Sequence, residues 1–507
     1  MDTKRTRQLA LAFFALVGFS VLINGGQTQK SGSAFSPMIP KTWDDEAIAN
    51  LEVPLAEPDA SPVHVSSTYY YRMRVRPIYK TYPIYPIGKE PPGYWEWLNQ
   101  QEPQDVFDAA KLKTKDDWVK AGELVYQAPI AFDGTASTSE VRDPAWWAKV
   151  GAPVAKDGTL PFYRYVIRAR GKVEVGDLSC WNCHNRLMPD GTVIQGAQGN
   201  SINELTDAYK KRTRDPVEKA RRAERVLFAA PWLRPDPQAR LAQMTVEEIA
   251  GIHEAIPPGV NARRGTSSSF PVQIPDLIGV KDRRYLDHTG LEQHRSIGDL
   301  MRYDALNQGA EFLARYGDFT PITVLSGKVP EPETQQRYSD EQLYALALYI
   351  YSLKPPPNPN KFDGLAERGQ RVFQGEGCAG CHTPPLYTNN KLTPAEGFKV
   401  PEEHLKKYDI LPMSVGTDPS LALRTRRGTG YYKVPSLKGV WYRGPFEHMG
   451  SVATLEDWFD PRRLRDDYVP TGFRGVGVKT RAVKGHPFGL NLSVEDRKAL
   501  IAFLKTL

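Results

Sequence analysis

The chain carries Cys-x-x-Cys-His twice: Cys180, Cys183 and His184 in GDLSCWNCHNRLMPDG, and Cys378, Cys381 and His382 in EGCAGCHTPP. These two pentads use all 4 cysteines of the chain. In this motif the two thiols bond to the vinyl groups of a haem, and the adjacent histidine reaches the iron as its proximal ligand. Two pentads therefore predict two covalently bound haem c groups. A zinc site would leave the histidine after each pair unexplained and would have to join pairs far apart in the chain. A redox dithiol expects a strand-helix setting that neither pentad has.

A length of 507 residues, with 40% hydrophobic and 25% charged content, suits two or three folded domains. The net charge of +7 includes Lys4, Arg5, Arg7 and Lys30 of the N-terminal segment. No Lys/Arg run forms a nucleic-acid stripe, so no nucleic-acid partner is expected. A basic rim for an acidic redox partner protein and a generally solvated surface both remain open.

The opening MDTKRTRQLALAFFALVGFSVLINGG has a basic start and an apolar run from Leu9 to Ile23, which reads as an export signal over residues 1–28. The run is short for a full membrane span, and no small-x-small site precedes Gln27. Cleavage and retention as an anchor are both open, and contact with a membrane is expected only through this segment if it is uncleaved. The expected location is the periplasm or another exported compartment, where haem is attached to such pentads.

The expected fold is mainly α: two cytochrome c-like haem domains with long loops, a few short strands and a Pro/Tyr-rich extension. Residues 29–110 form that extension, where dense prolines forbid a long helix and favour extended segments over a core. Its aromatics, Tyr79, Tyr82, Tyr85, Tyr94, Trp95 and Trp97, read as packing material. Residues 111–353 form the first domain, led by a helix in DDWVKAGELVYQAPIAF and a strand or hairpin in PFYRYVIRARGKVEVGD. Charged helices follow in ELTDAYKKRTRDPVEKARRAERVLF and MTVEEIAGIHEAI. The prolines of KPPPNPNKF make residues 354–362 a stiff linker. Residues 363–507 form the second domain, led by a helix in GLAERGQRVF. YSDEQLYALALYIYSL aligns without gaps on LSVEDRKALIAFLKTL, each with a serine N-cap and first-turn acids, so a similar helix closes each domain.

Distal ligands decide what each haem does, because two strong protein ligands favour electron transfer and an open position admits a small oxidant. For the second haem the candidates are His404, Met413, His448, Met449 and His486. His486, at the end of a long loop before the closing helix, is the preferred ligand, with His448 a weaker one. For the first haem the candidates are Met188, His253, His288 and His294, with none preferred as ligand. His288 is the candidate catalytic residue near that haem.

The run YYKVPSLKGVWYRGPFEHMGSVATLEDWF resembles the hallmark of the bacterial dihaem cytochrome c peroxidase superfamily, through Val434, Pro435, Ser436, Leu437, Pro445, Phe446, His448, Gly450, Thr454 and Leu455. The resemblance implies that His448 lies near the second haem and that the residue at 486 is its distal ligand. Peroxidases of the superfamily have Met there, quinone-cofactor maturation enzymes have Tyr, and the dihaem rubber oxygenases have His. PPGYWEWLNQQEP, WVKAGELVY and MPDGTVIQGAQGN are similar to that last branch. In place of the Trp-Asp-Gly-Arg segment that bridges the haems in typical peroxidases stands Leu286-Asp287-His288-Thr289-Gly290, and the chain has no Asn-Pro-x-Glu-Met segment.

The expected function is that of an exported dihaem redox enzyme. Peroxide or dioxygen chemistry, with or without an organic substrate, is expected at the N-terminal haem, and electron storage or relay at the C-terminal haem. The alternative is a dihaem electron-transfer cytochrome without catalysis.

Overall fold

The computed structural model describes residues 35–236 and 239–507; the export signal lies outside them. The elements used below are, in chain order, β1 (Pro62–His64), β2 (Arg74–Val75), β3 (Thr81–Pro83), α1 (Lys115–Gln127), β4 (Ala131–Phe132), β5 (Arg164–Ala169) and β6 (Lys172–Asp177). Then come α2 (Cys180–Cys183), α3 (Asn203–Thr213), α4 (Val217–Phe228), α5 (Val246–Glu254), α6 (Ile297–Leu313), β7 (Ala314–Tyr316) and β8 (Gln336–Arg337). The chain continues with α7 (Asp340–Ser352), α8 (Gly364–Gly375), β9 (Leu392–Pro394), β10 (Tyr431–Lys433) and α9 (Val494–Lys505).

The expectation of a mainly α fold needs correction: the described residues form a mixed helix and sheet structure. The reason is long-range pairing. A four-stranded antiparallel sheet in the order β3-β5-β6-β4 joins the extension to the hairpin before the first pentad, with Tyr82 opposite Tyr165 and Tyr165 opposite Val175. Alternate residues Tyr163, Tyr165 and Ile167 bury their side chains with Trp146 and Phe162 in one core. Each large aromatic so buried contributes about 2–3 kcal/mol of transfer free energy. The extension is also tied to the first half by β1 pairing antiparallel with β7 and β2 pairing parallel with β8. Of its aromatics, Tyr82 is buried, whereas Trp97 is 43% exposed and stacks on Tyr94.

The two halves share a helix pair. α1 crosses α7, and α8 crosses α9, each at a glycine, Gly122 or Gly369, whose missing Cβ lets the backbones meet. Ser339 and Ser493 cap the closing helices by accepting from Gln342 N and Asp496 N. Residues 354–362 carry no regular structure between the pairs. Among the described residues no helix is long and apolar enough to cross a membrane.

Candidate functional site

The first pentad forms α2, capped by Ser179, whose hydroxyl accepts from Asn182 N at 3.1 Å. Asn182 in turn donates to the Phe162 carbonyl at 3.0 Å, which ties the pentad to the sheet. On its other side Tyr126 of α1 donates to the His184 carbonyl at 2.9 Å. The ring of His184 sits with Nδ1 3.0 Å from the Pro275 carbonyl oxygen. A carbonyl only accepts, so Nδ1 carries the proton and Nε2 keeps its lone pair. Burial pushes the Cys183 thiol up to about 12 and His184 down to about 4.

The second pentad follows α8. His382 Nδ1 stands 3.1 Å from the Pro435 carbonyl and 3.2 Å from that of Tyr387, so here too Nε2 is the free donor atom. Burial lifts the Cys378 thiol to about 11. All four cysteines are free. The first pentad does follow a strand, β6, and opens a helix, contrary to expectation, so it is the histidine after each cysteine pair that speaks against a redox dithiol.

Cys378, Cys381 and His382 open onto a cavity of about 290 Å³ whose apolar wall includes Phe373, Leu437, Val440, Trp458, Phe459 and Leu504. His486 lines the same cavity. Its Nδ1 is buried without a hydrogen-bond partner among the described residues, and its ring contacts Trp458 at 5.6 Å. Burial presses His486 down to about 4, which keeps it neutral and able to ligate. Arg463, with no exposed surface, fixes the loop by donating to the carbonyls of Trp458, Val483 and His486 at 2.8, 2.9 and 2.8 Å. An apolar slot with two thiols and two neutral imidazoles fits a haem.

The other candidates are placed as follows. His448 lines the cavity, but Nδ1 pairs with Glu447 and Nε2 meets the Tyr432 hydroxyl at 3.2 Å. His404 Nδ1 meets the Tyr431 hydroxyl at 2.9 Å, Met413 is largely exposed, and Met449 is buried beside Val260 and Phe473. Near the first half, His253 bridges Glu204 and Glu224, and His294 bridges the Arg283 carbonyl and the Tyr351 hydroxyl, so both ring nitrogens of each are engaged. Met188 packs beside Ala197, Ile278 and Tyr442. His288 lies on the cavity wall and donates from Nε2 to the Gln273 carbonyl at 2.7 Å.

These bonds join the two pentads. His184 meets Pro275; two residues earlier, Gln273 meets His288; the His288 carbonyl accepts from Lys433 N at 3.0 Å; two residues later, Pro435 meets His382.

Pro275 and Arg463 were not among the residues singled out from sequence. A signal for Pro275 exists: residues 273–290 align without gaps on 433–450, pairing Pro275 with Pro435, Leu277 with Leu437, Arg283 with Arg443, His288 with His448 and Gly290 with Gly450. Asp287 and Glu447, also paired, share the left-handed backbone conformation, with φ of 66° and 68°. Nothing in the run DPRRLRDD marks Arg463 as buried.

No protein-family model matches the chain. Methylamine utilization protein MauG of Methylorubrum extorquens is 29% identical over 143 residues, covering 28% of this chain and 34% of that protein. Cytochrome-c peroxidase IdrP1 of Denitromonas iodatirespirans is 29% identical over 163 residues, covering 28% of this chain and 40% of that protein. The matches thus span well under half of either relative. Among solved structures, a hydrazine synthase chain of Kuenenia stuttgartiensis aligns with a TM-score of 0.28 at 15% identity, covering 50% of this chain and 78% of that one. A MauG-like protein associated with microbial copper homeostasis aligns with a TM-score of 0.21 at 18% identity, covering 33% and 56%. The two curated relatives support a haem-dependent redox enzyme at the level of the family. They support a place for this chain, at low sequence identity, in the bacterial dihaem cytochrome c peroxidase-like superfamily.

Proposed function

We propose that the chain is an exported dihaem c-type redox enzyme with two unlike sites, each in a cytochrome c-like half bounded as the sequence predicts, at residues 111–353 and 363–507. When bound, haem supplies a redox-active iron at each pentad. Cys378 and Cys381 would hold one haem, with His382 and His486 as its ligands, for electron storage or relay. Cys180, Cys183 and His184 would hold the other, where peroxide or dioxygen reacts.

One observation carries this division. Carried upstream without a gap from the aligned closing helices, which pair Ser339 with Ser493, the position of His486 falls on Pro332, and residues 327–337 contain neither His nor Met. The second half thus has an imidazole where the first half has none. The hydrogen-bonded line from His184 through His288 to His382 supports a relay between the sites, and the histidine at 486 supports the rubber oxygenase-like branch. A redox partner protein outside the cytoplasm would supply electrons.

Electron paramagnetic resonance of the resting protein tests the division. One high-spin and one low-spin ferric species are expected; two low-spin species would leave only an electron carrier. A pyridine haemochrome assay should give two haems per chain, and a single haem would remove the dihaem reading.

A further inference from the structure

The cavity at the second pentad is chemically two-ended. Cys378 packs against an apolar core of Phe373, Leu455, Phe459, Leu500 and Leu504. Another part of the lining carries charge, from Arg283, Lys433, Arg443, Asp276 and Glu447. Glu447 is spent on His448 and on Met449 N, which donates to it at 3.0 Å. Asp276 then stands alone against three cations. It accepts from Ile278 N and from the Tyr442 hydroxyl, each at 3.1 Å, and lies 4.0 Å from Arg283. The guanidinium of Arg283 donates to the carbonyls of Asp276 and Ile278, and that of Arg443 to those of Ser436 and Lys438. Carbonyls carry no net charge, so these bonds satisfy hydrogens and leave the charges standing. Arg443 Nε is buried with no hydrogen-bond partner among the described residues. Lys433 goes further: it lines the cavity, and its ammonium makes no hydrogen bond or ion pair among the described residues. Burial, and next the charge of Arg283, lowers that ammonium to about 7. Three cations against one carboxyl leave an excess of two positive charges on the cavity wall, a costly arrangement unless an anion joins them.

We propose that Lys433, Arg283 and Arg443 form the site for the two propionates of the haem held by Cys378 and Cys381, with Lys433 paired directly with one of them. The inference rests on the reading of that pentad as a haem site. Thioether bonds tie the vinyl side of a haem c to its cysteines, and both carboxylates leave from the other side of the ring. One cavity with an apolar end at Cys378 and a separate cationic wall matches that division. Two carboxylates also match the excess of two positive charges. Lys433 has a second connection, because its backbone N donates to the His288 carbonyl at 3.0 Å. One residue would thus join the haem edge to the hydrogen-bonded line that leads to His184. Its charge would also act on the iron, since a nearby cation favours the reduced state, which carries one positive charge fewer.

The test compares haem-loaded wild type, Lys433→Gln, Lys433→Arg and, as a control, Lys399→Gln at an exposed position. Potentiometric titration of the low-spin haem should find its reduction equilibrium shifted about tenfold toward the oxidised form in Lys433→Gln, which lowers the potential by about 59 mV. Lys433→Arg and Lys399→Gln should stay close to wild type. Resonance Raman spectra should show the propionate bending band moved in Lys433→Gln alone. An unmoved potential or an unmoved band in Lys433→Gln overturns the propionate role. A wild-type potential that moves with added acetate gives the cations to a free carboxylate and overturns it as well. A single haem per chain, with Cys378 and Cys381 unmodified, overturns the haem reading of the site and this inference with it.

Discussion

Gly122 meets Ala345 so closely that a methyl group on the glycine would lie 2.0 Å from the alanine's carbonyl oxygen. The second half repeats the contact, at 1.9 Å, between Gly369 and Ala499. The aligned closing helices thus meet their partners backbone to backbone, and the crossing sets how each pentad is presented.

Gly369→Ala should force α8 away from α9 and destabilise the protein by about 1–3 kcal/mol, the usual cost of overpacking. Urea unfolding measures it. An unchanged midpoint would mean that the helices separate freely.

His486→Ala should convert one ferric haem from low to high spin. Arg463→Met should do so in part, because it strands three buried carbonyls and lets the loop drift, at a stability cost of about 1–3 kcal/mol for each carbonyl left unpaired. A fully low-spin Arg463→Met spectrum would show that the loop holds its shape without the guanidinium.

His288→Phe removes the donor to Gln273 while filling similar space. Electrons introduced at the second site should then reach the first more slowly, with both resting spectra unchanged. Rapid-reduction kinetics read this directly, and wild-type speed would show that the hydrogen-bonded line is not the route.

His253 gives a pH prediction. Burial opposes its charge, but the carboxylates of Glu224 and Glu204 outweigh that and lift it to about 10. Unfolded, its value is about 6.5. Its contribution to stability is therefore full below pH ~6.5 and is lost as pH rises toward 10. His253→Gln should cost about 3 kcal/mol at pH 6, since it removes the cation between Glu204 and Glu224 and leaves Glu224 to Lys211, 3.3 Å away. It should also flatten the alkaline decline seen by thermal melting between pH 6.5 and 10, and a parallel decline in both proteins would assign that window to other groups.

What the sequence made legible was local. The pentads, the leading helices and the serine-capped closing helices all announce themselves through neighbours a few residues apart. The β5–β6 hairpin was legible in PFYRYVIRARGKVEVGD, but the strand pairings of the extension escaped because their partners are remote: Tyr82 has no local reason to face Tyr165, nor Arg74 to face Gln336. The same holds around the sites. His486 stands out as a loop histidine before a closing helix, whereas Arg463 gains its character only from burial, which periodicity does not reveal for a charged residue in a polar run. Pro275 was readable in principle, through the 273–290 repeat, once Pro435 was known to hold His382.

Among the described residues, the strands β1 and β2 find their partners in β7 and β8. A chain made from its N-terminus delivers these segments long before the residues they pair with exist. Until residues 314–337 arrive, the extension is an unclosed loop with open strand edges, exposed to association with other chains. Closing these pairings joins residues about 250 apart in the chain, and contacts so remote slow folding.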